Sequence, residues 1–582
     1  MRACYNRVLL VDLEKRKART IKPSQICIHS HLGGKDLATR LLLKLNPGGA
    51  DPLGPDNHLI FATGPAAGNM VWGGSRYGVF TKSPLTGGYL ESYSGGRVPE
   101  AMDAAGYDAI AIRGISPSPA VLRIHPHGCD FLDGEDLWGK DTFTAEDEAR
   151  QLCLSIDGSH KKTGAMVIGP AGEKCIPFAI IANDYWRCAG RGGAGAVMGS
   201  KKIKAVVFQG SEKRSPAHPE KLLAFYKRVV QQGKDSPGVK AYKNFGTTQM
   251  VAILNTAGAF PSQYWNMGTC DHWEKLSGEF LHKEHQVEPE ACAKCFMACG
   301  RKTTLATGRH KGLQLGGPEY ETIYAFGGLC MIKDIAEVAR LNDLCDRLGL
   351  DTITAGNLCA LIMEAGRTER IARCLEYSDA SGTARLLRDM VDGNGLGAVL
   401  AQGMVRASRE LGLEDLAVQV KGMEPAGYDP RVFKGMGLSY AVSDRGACHL
   451  RTTFYKPELA GMIDPAVTED KAAMVIDFEN RLTVFDCLIL CRFYRDLYQW
   501  EDLAELIFLL TGTDVSVESL KETAKEITDH ARDFNIREGM GPEDDCLPDR
   551  LLNQPLPSGH ALTKNELDHM LEDYYRLKGW SR

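Results

Sequence analysis

The chain has 582 residues, too many for one hydrophobic core, and typical domain sizes predict about three or four domains. Its 69 Lys and Arg residues against 74 Asp and Glu residues give a formal net charge of −5, which argues against nucleic-acid binding. No apolar run reaches the ~18–20 residues of a membrane-spanning helix, so no membrane span is expected. The 18 Cys residues and the charged N-terminus without a secretory leader indicate a reducing, cytoplasmic environment.

The N-terminal part of the chain, up to about residue 210, predicts a β-rich domain. Short β-branched runs bounded by turn residues predict strands at 7–13, 109–114, 120–124, 165–169 and 205–208. Two further segments are denser in Gly than turns alone require, namely 64–96 and 190–199. Loops of this kind let the backbone approach a ligand closely.

Residues 190–195 have the Gly-x-Gly-x-x-Gly spacing of dinucleotide-binding proteins. That fingerprint requires a strand before it and a helix after it. We reject a nicotinamide or flavin site, because residues 184–187 do not form a typical strand and a predicted strand, 203–208, follows shortly. The basic residues beside the loop favour phosphate or another anionic cofactor, and a tight surface turn is the alternative. These basic residues are Arg187, Arg191, Lys201 and Lys202.

Beyond about residue 215 the apolar residues recur at helical spacing. The pattern predicts helices at 220–230, 334–348 with Gly349 as the cap, 470–491, 501–510 and 519–533. Residues 424–447 contain Pro and several Gly and are predicted to be loops. The fold class is therefore α+β, with a β-rich N-terminal domain (1–210) followed by two mainly α-helical domains (211–420 and 421–582).

Three thiols, Cys292, Cys295 and Cys299, lie at Cys-x2-Cys-x3-Cys spacing. They can all reach one soft metal centre, and the apolar residues between them suit an iron–sulfur cluster. A structural zinc site is the alternative, but the sequence lacks the second Cys pair or the His pair that such sites use. The fourth ligand must come from elsewhere, and Cys487 and Cys491 are both candidates.

From about residue 5 to residue 550 the sequence resembles the tungsten-containing aldehyde:ferredoxin oxidoreductase family, in the family's own order. The segments that carry the resemblance are 75–76, 82–87, 94–96, 187–193, 199–201, 316–322, 346–352, 427–431, 444–451, 534–539 and 544–548. The family's fourth cluster ligand is a Cys in an Asp-x4-Cys-Lys/Arg-Phe context. Asp486 with Cys491 matches that context, which leaves Cys487 as a core residue.

The resemblance implies a bis-pterin cofactor that carries tungsten or molybdenum without a protein ligand, and one [4Fe–4S] cluster held by Cys292, Cys295, Cys299 and Cys491. It leaves open a Mg²⁺ ion that bridges the pterin phosphates. Pterin N–H groups suit buried carboxylates, and phosphates suit guanidinium groups and backbone amides. The implied pterin contacts are Arg76, Tyr93, Gly95, Arg187, Cys188, Gly190, Arg191, Asp346, Leu350, Asp351, Arg451, Asp486 and Leu490.

Three of these positions depart from the pattern of the family, and none of the departures removes a needed charge. Tyr93 stands where Asn is expected, Cys188 replaces a small Ala, and Arg451 replaces the Lys of the archaeal type.

The resemblance also implies an activity, the oxidation of small aldehydes to carboxylic acids with water as the oxygen source. Glu321 is expected to be the base for the water, and His449 to donate to the carbonyl oxygen and exchange a proton near neutral pH. Tyr320 and Tyr428 are expected to line the pocket and orient the substrate. Without the resemblance, Glu321 would be interpreted as a surface acid and His449 as a core histidine.

The implied electron acceptor is ferredoxin or a ferredoxin-like small subunit, in a homodimer or a hetero-oligomer. Arg340 replaces the Glu that holds an interface iron in the archaeal homodimer, so we expect no such iron. Two alternatives stay open: the catalytic subunit of a tungsten-dependent aryl-CoA reductase, and a non-catalytic iron–sulfur or zinc protein. The sequence does not distinguish tungsten from molybdenum.

Overall fold

The structure is a computed structural model that describes residues 2–28 and 32–582. Two mixed β-sheets occupy the N-terminal part of the chain, and a third, small sheet lies among the helices that follow. The strands are β1 (Val8–Asp12), β2 (Lys17–Ile21), β3 (Leu59–Ala62), β4 (Tyr77–Lys82), β5 (Tyr89–Ser94), β6 (Ala109–Arg113), β7 (Ala120–His125), β8 (Gly128–Asp133), β9 (Lys162–Val167), β10 (Ile181–Asn183), β11 (Arg187–Ala189), β12 (Ile203–Gly210), β13 (Gln286–Glu290), β14 (Gly300–Thr304) and β15 (Gln314–Gly316).

Helices pack around these sheets and make up most of the chain after β12. They are α1 (Gly34–Leu45), α2 (Val98–Ala104), α3 (Thr142–Ile156), α4 (Pro170–Glu173), α5 (Ala194–Ser200), α6 (Pro219–Asp235), α7 (Pro237–Phe245), α8 (Met250–Thr256), α9 (Gly278–Glu284), α10 (Tyr320–Thr322), α11 (Ile335–Leu348), α12 (Thr352–Arg367), α13 (Ala380–Asp392), α14 (Gly395–Leu400), α15 (Met404–Leu411), α16 (Lys434–Val442), α17 (Tyr455–Leu459), α18 (Lys471–Leu488), α19 (Trp500–Thr511), α20 (Val517–Arg537), α21 (Asp549–Leu552) and α22 (Lys564–Lys578). A π-helical segment, Ile323–Leu329, continues α10.

The first sheet has the order β2-β1-β6-β3-β4-β5 and the second has the order β11-β10-β9-β12-β7-β8. One apolar core lies between them, where the ring of Phe61 meets that of Phe208 at 6.4 Å. Helices α1 and α20 cover the outer face of the first sheet, and α3 covers that of the second. The predicted α+β class, with a β-rich domain before mainly helical ones, is confirmed, whereas the domain boundaries near 210 and 420 stay predictions.

Most of the predicted elements are confirmed. The predicted strands correspond to β1, β6, β7, β9 and β12, and the predicted helices correspond to α6, α11, α18, α19 and α20. Gly349 caps α11 with a φ of 80°, in the left-handed region that favours glycine. Helix α18 ends earlier than predicted, because Ile489 adopts a φ of 60°, so Cys491 lies beyond the helix.

The prediction that residues 424–447 are all loop is wrong, because the segment contains α16. Its glycines serve close packing rather than turns. A Cβ at Gly435 would lie 2.3 Å from the ring of Phe454, and one at Gly437 would lie 2.7 Å from Leu562.

The expectation that residues 190–195 lack a preceding strand and a helix is wrong, since β11 ends at Ala189 and α5 begins at Ala194. The topology nevertheless differs from the dinucleotide-binding unit. Strand β11 is an edge strand, and the neighbouring pairs β11–β10, β10–β9 and β9–β12 are all antiparallel. Strands β11 and β12 therefore do not form the parallel β-α-β unit that binds dinucleotides. Among the described residues, no helix is long and apolar enough to cross a membrane.

Candidate active site and metal centre

The three clustered cysteines lie in the connection between β13 and β14, a hairpin that the helical pattern of this region did not predict. Two glycine loops of the N-terminal domain hold this connection. The amide of Gly73 donates to the carbonyl of Lys294 at 3.1 Å, and the amide of Ala293 donates to the carbonyl of Gly96 at 3.3 Å. The amide of Cys491 donates to the carbonyl of Gly73 at 2.9 Å, so three distant segments meet here.

All four predicted cluster ligands line one cavity of about 230 Å³. Burial raises the pKa of Cys295, and it raises that of Cys299 well above its usual value. Among the described residues, no group of His, Cys, Asp or Glu side chains converges closely enough to share a single metal ion. Four thiols around a cavity suit a multi-iron cluster better than the single ion of a structural zinc site. Cys487 is fully buried in the apolar core.

Polar and aromatic groups surround the cysteine cavity. The amide of Gly96 donates to the thiol of Cys292 at 3.1 Å, and the hydroxyl of Tyr494 donates to that of Cys295 at 3.5 Å. Such hydrogen bonds are one means by which proteins set the potential of a cluster. Arg187 lines the same cavity, and its charge is stabilised by Cys292 and Cys299.

A second cavity, of about 240 Å³, adjoins the first. Arg76 and Tyr93 line both cavities, and Gly95 and Arg187 line only the cysteine cavity. Arg451 contacts the second cavity through Asp486, at 3.1 Å between Nη1 and Oδ2. The other predicted pterin contacts line the second cavity, namely Cys188, Gly190, Arg191, Asp346, Leu350, Asp351, Asp486 and Leu490.

Buried charges at one end of this cavity form a network with unpaired cationic groups. Arg451 pairs with Glu91 and Asp486, and Arg492 pairs with Asp486. Nevertheless, Nε and Nη2 of Arg451 and Nη1 of Arg492 have no hydrogen-bond partner among the described residues. Unpartnered buried guanidinium groups are costly, so an anionic ligand such as a pterin phosphate fits here.

Arg191 does not have the phosphate-binding geometry that the sequence suggested. Its Nε pairs with Asp351 at 3.0 Å, and its other nitrogens bond Glu424 and the carbonyl of Ala447. The predicted roles of Lys201 and Lys202 are wrong as well. Lys201 is buried against the carbonyls of Gly54 and Gly114, and Lys202 donates to that of Pro117, so neither lines these cavities. The two lysines instead fix turns behind the sheet.

The lining of the second cavity also contains acidic groups, Asp346 among them. Burial raises the pKa of Asp346 well above its usual value, and the amide of Asn342 donates to this carboxyl group at 2.7 Å. A protonated or hydrogen-bonded carboxyl group here can pair with the N–H groups of a heterocyclic ring. The presence of both basic and acidic groups in the lining of one cavity therefore fits a pterin with its phosphate.

A third cavity, of about 320 Å³, meets the second at Glu321 and His449. The amide of Gly427 donates to Oε2 of Glu321 at 3.0 Å. Oε1 of Glu321 has no hydrogen-bond partner among the described residues and lies 3.5 Å from Nε2 of His449. The two predicted catalytic side chains are thus brought together, with one carboxylate oxygen fixed and the other free.

Tyr320 and Tyr428 both line the third cavity, as predicted. The hydroxyl of Tyr320 is already bonded to the carbonyl of Gly427, so it has no proton left for a substrate. The Tyr428 ring stacks on Tyr455 at 3.9 Å and lies 5.4 Å from the imidazole of His449. Tyr320 therefore shapes the cavity wall, and its expected part in hydrogen bonding to the substrate needs correction.

Burial shifts the pKa values of Glu321 and His449 in opposite directions. It raises the pKa of Glu321 to about 7, against the lowering effects of the Gly427 amide and the charge of Arg191. It lowers the pKa of His449 well below 6.5, and the charges of Arg191 and Arg445 lower it further. Burial therefore favours the neutral form of His449, which suits a hydrogen-bond donor, and proton exchange by this residue stays a prediction.

Sequence reasoning missed several residues of the site. Glu319 and Arg76 line all three cavities, and only Arg76 was predicted. The hydroxyl of Thr247 donates to Glu319. Arg495 and Tyr242 line the third cavity. Glu319 could have been found from its position two residues before the predicted base Glu321. Nothing in the sequence indicated Tyr242.

A cysteine-lined cavity that adjoins a buried cofactor cavity, with an acid and a histidine at its far side, defines an oxidoreductase with an iron–sulfur cluster. Comparisons with known proteins give its family. The family model for the N-terminal domain of aldehyde ferredoxin oxidoreductase matches residues 8–210, and the model for its domains 2 and 3 matches residues 224–582. The chain belongs to the aldehyde ferredoxin oxidoreductase family.

Relatives match along nearly the whole chain. The tungsten-containing aldehyde ferredoxin oxidoreductase of Pyrococcus furiosus is 34% identical over 595 residues, which cover 99% of this chain and 96% of that protein. The protein of the same name from Thermococcus kodakarensis is 33% identical, with the same coverage. The WOR-like subunit of aliphatic sulfonate oxidoreductase from P. furiosus is 27% identical over 99% of this chain and 94% of its own length.

The fold is also similar to a chain of the active site complex BamBC of benzoyl coenzyme A reductase, solved with 1,5-dienoyl-CoA. The TM-score is 0.82 at 22% identity, over 100% of this chain and 95% of that one. The cofactors of the family are a tungsten bis-pterin and one [4Fe–4S] cluster, and the cysteine cavity and the adjoining second cavity of this chain fit that pair.

Proposed function

We propose that the protein oxidises small aldehydes to carboxylic acids, using water as the oxygen source. The observation that carries this proposal is the free Oε1 of Glu321, 3.5 Å from Nε2 of His449, where the cofactor cavity meets the third cavity. The relatives named as tungsten-containing aldehyde ferredoxin oxidoreductases support the same activity. The overall reaction converts an aldehyde and one water into a carboxylic acid, two protons and two electrons.

Glu321 is the proposed base. The Gly427 amide fixes Oε2, which leaves Oε1 free to accept a proton from the attacking water. A pKa of about 7 makes this carboxylate a stronger base than an exposed Glu, while a large fraction is still ionised near neutral pH. Glu321 therefore combines a defined position with a matched proton affinity.

His449 is the proposed donor to the carbonyl oxygen of the aldehyde. As a neutral imidazole it can present one N–H group, and its position beside Tyr428 restricts the ring. A hydrogen bond to the carbonyl oxygen stabilises the charge that develops as water adds. A tungsten bis-pterin held in the second cavity would supply the acceptor for two electrons, and a cluster held by Cys292, Cys295, Cys299 and Cys491 would supply a path for onward electron transfer.

The proposed electron acceptor is ferredoxin or a ferredoxin-like small subunit. Aromatic rings extend from the cysteine cavity toward the surface and support this route. Tyr494 lies 5.0 Å from Phe296, Phe296 lies 4.9 Å from Trp72, and Trp72 stacks on Tyr226 of α6 at 4.2 Å. A partner that docks on α6 would reach the cluster side of the molecule.

The experiment compares aldehyde-dependent reduction of a viologen dye by wild type, by Glu321→Gln and by the exposed control Glu522→Gln, all purified without oxygen. We expect Glu321→Gln to lower kcat by about 10²–10⁴-fold with tungsten and iron contents unchanged, and Glu522→Gln to match wild type. Full activity in Glu321→Gln would contradict the proposal. If the protein instead uses the reduced dye to reduce an aryl-CoA thioester and does not oxidise aldehydes, that result would favour the aryl-CoA reductase alternative.

A further inference from the structure

The third cavity has an apolar body and one charged wall. Glu321 and His449 also line the cofactor cavity, and they therefore mark the reactive end. A volume of about 320 Å³ lies at the small end of ligand pockets and suits a flat, ring-sized molecule. The apolar and aromatic residues of the wall are Tyr242, Met250, Tyr320, Tyr428, Tyr455 and Phe493.

Arg495 lines this cavity but not the cofactor cavity. Its side chain is 1% exposed, and Nη1 donates to the carbonyl of Arg492 at 2.7 Å. Its Nε and Nη2 have no hydrogen-bond partner among the described residues. A guanidinium group stays charged under all ordinary conditions, so burial without partners for two of its nitrogens is costly.

The surroundings of Arg495 offset its charge only in part, through the nearby Asp496 and the hydroxyl group of Tyr242. Arg492, which also lines the cavity, has an unpaired Nη1, and Lys456 lies 5.5 Å from the ring of Tyr242. The carboxylates on the cavity wall are Glu319, bound by Thr247, and Glu321 at the reactive end. Asp496 is 62% exposed and pairs with Lys456. The part of the cavity around Arg495 is therefore positively charged.

We propose that this cavity selects aldehydes that carry a carboxylate group at the end opposite to the aldehyde, and that Arg495 binds this carboxylate. Two free N–H groups of one guanidinium match the two oxygens of a carboxylate. The aromatic wall holds the body of the substrate, and the aldehyde carbon reaches Glu321 and His449. The assignment of a substrate class rests on the proposed function, whereas the anion site itself rests only on Arg495.

The test compares 4-carboxybenzaldehyde with benzaldehyde, two substrates that differ in one charged group. We expect wild type to prefer the carboxylated substrate by about 10- to 100-fold in kcat/KM, the value of a charge-assisted hydrogen-bond pair. In Arg495→Gln the ratio of the two kcat/KM values is expected to fall toward one, mainly through a higher KM for the carboxylated aldehyde. The exposed control Arg409→Gln retains the preference.

A binding measurement separates the anion site from catalysis. Calorimetry on the cofactor-loaded wild type is expected to show that terephthalate binds and that the neutral terephthalamide binds at least 10-fold more weakly. This comparison needs no variant, so it holds even where Arg495→Gln fails to fold.

Each outcome supports or overturns one claim. The carboxylate site is overturned if wild type has equal kcat/KM for the two aldehydes, or if terephthalate and terephthalamide bind equally well. Either result leaves aldehyde oxidation standing. Selective binding of terephthalate without oxidation of either aldehyde keeps the anion site and overturns the proposed function. Neither binding nor oxidation overturns both.

Discussion

The side chains of Glu321 and His449 show how one buried environment can assign two protonation states. Both groups are removed from water, and burial disfavours the charged form of each. The carboxyl group consequently gains proton affinity and the imidazole loses it. A base that is half ionised near neutral pH thus lies beside a neutral donor.

The pH dependence of kcat/KM follows from this assignment. The base acts in its ionised form, so activity is low when Glu321 is protonated and rises with pH through about 7, its pKa in the folded protein. His449 adds no second step in this range, because its pKa is depressed. Steady-state rates between pH 5.5 and 9 measure the profile. A rate that is flat from pH 6 to 8 contradicts the role of Glu321.

The residues of the site differed in how far the sequence could predict them. The spacing of Cys292, Cys295 and Cys299 is local and carries chemical meaning by itself. Glu321 and His449 had no local signal and were identified by resemblance alone. Arg495 was missed, because its significance depends on having no partner, and partners are set by contacts between segments distant in the sequence.

Among the elements, α12 and α21 are joined by a buried charge cluster. Glu364 of α12 bonds Arg550 of α21 at 2.9 Å, Arg367 at 2.8 Å and the amide of Asn266 at 3.0 Å. Burial alone would raise the pKa of Glu364, but the hydrogen bonds of Arg367, Asn266 and Arg550 lower it to about 2. The cluster ties the C-terminal part of the chain to the middle helices.

Replacement of Glu364 by Gln is expected to lower the free energy of unfolding by about 2–4 kcal/mol at pH 7, because the buried guanidinium group of Arg550 loses its anion. Since the folded pKa is depressed from 4.5 to about 2, the stabilisation is complete above 4.5 and is lost as the pH falls toward 2. Denaturant unfolding at pH 7 and pH 4 measures the difference in the free energy of unfolding between wild type and Glu364→Gln, and we expect this difference to be smaller at pH 4. The exposed Glu376→Gln is the control, and an equal loss in both variants contradicts the account.

Elements with a regular apolar period were predictable, and elements shaped by close packing were not. Helices α11 and α19 carry their own pattern and were found. Helix α16 was taken for a loop, because glycines that admit the rings and methyl groups of other segments look like turn residues in sequence. The strands of the β13–β14 hairpin are short and lack alternating apolar residues, so nothing local indicated the hairpin.

At the scale of the whole molecule, the metal centre exists only because distant segments converge. The loops at Gly73 and Gly96 come from the β-rich domain, the cysteine hairpin from the middle of the chain, and Cys491 from the segment after α18. The resemblance to the family, which follows the order of the segments along the chain, indicated which segments contribute to the same site. Their contacts depend on how segments that lie far apart in the sequence pack together, which no local pattern encodes.

We expect this assembly to hold one iron–sulfur cluster and one tungsten or molybdenum centre. Elemental analysis of anaerobically purified wild type, of Cys295→Ser and of the exposed control Cys374→Ser tests it most directly. We expect about four iron and one tungsten or molybdenum per chain in wild type and in the control, with iron reduced in Cys295→Ser. Zinc alone, with no tungsten, molybdenum or pterin, would contradict the account.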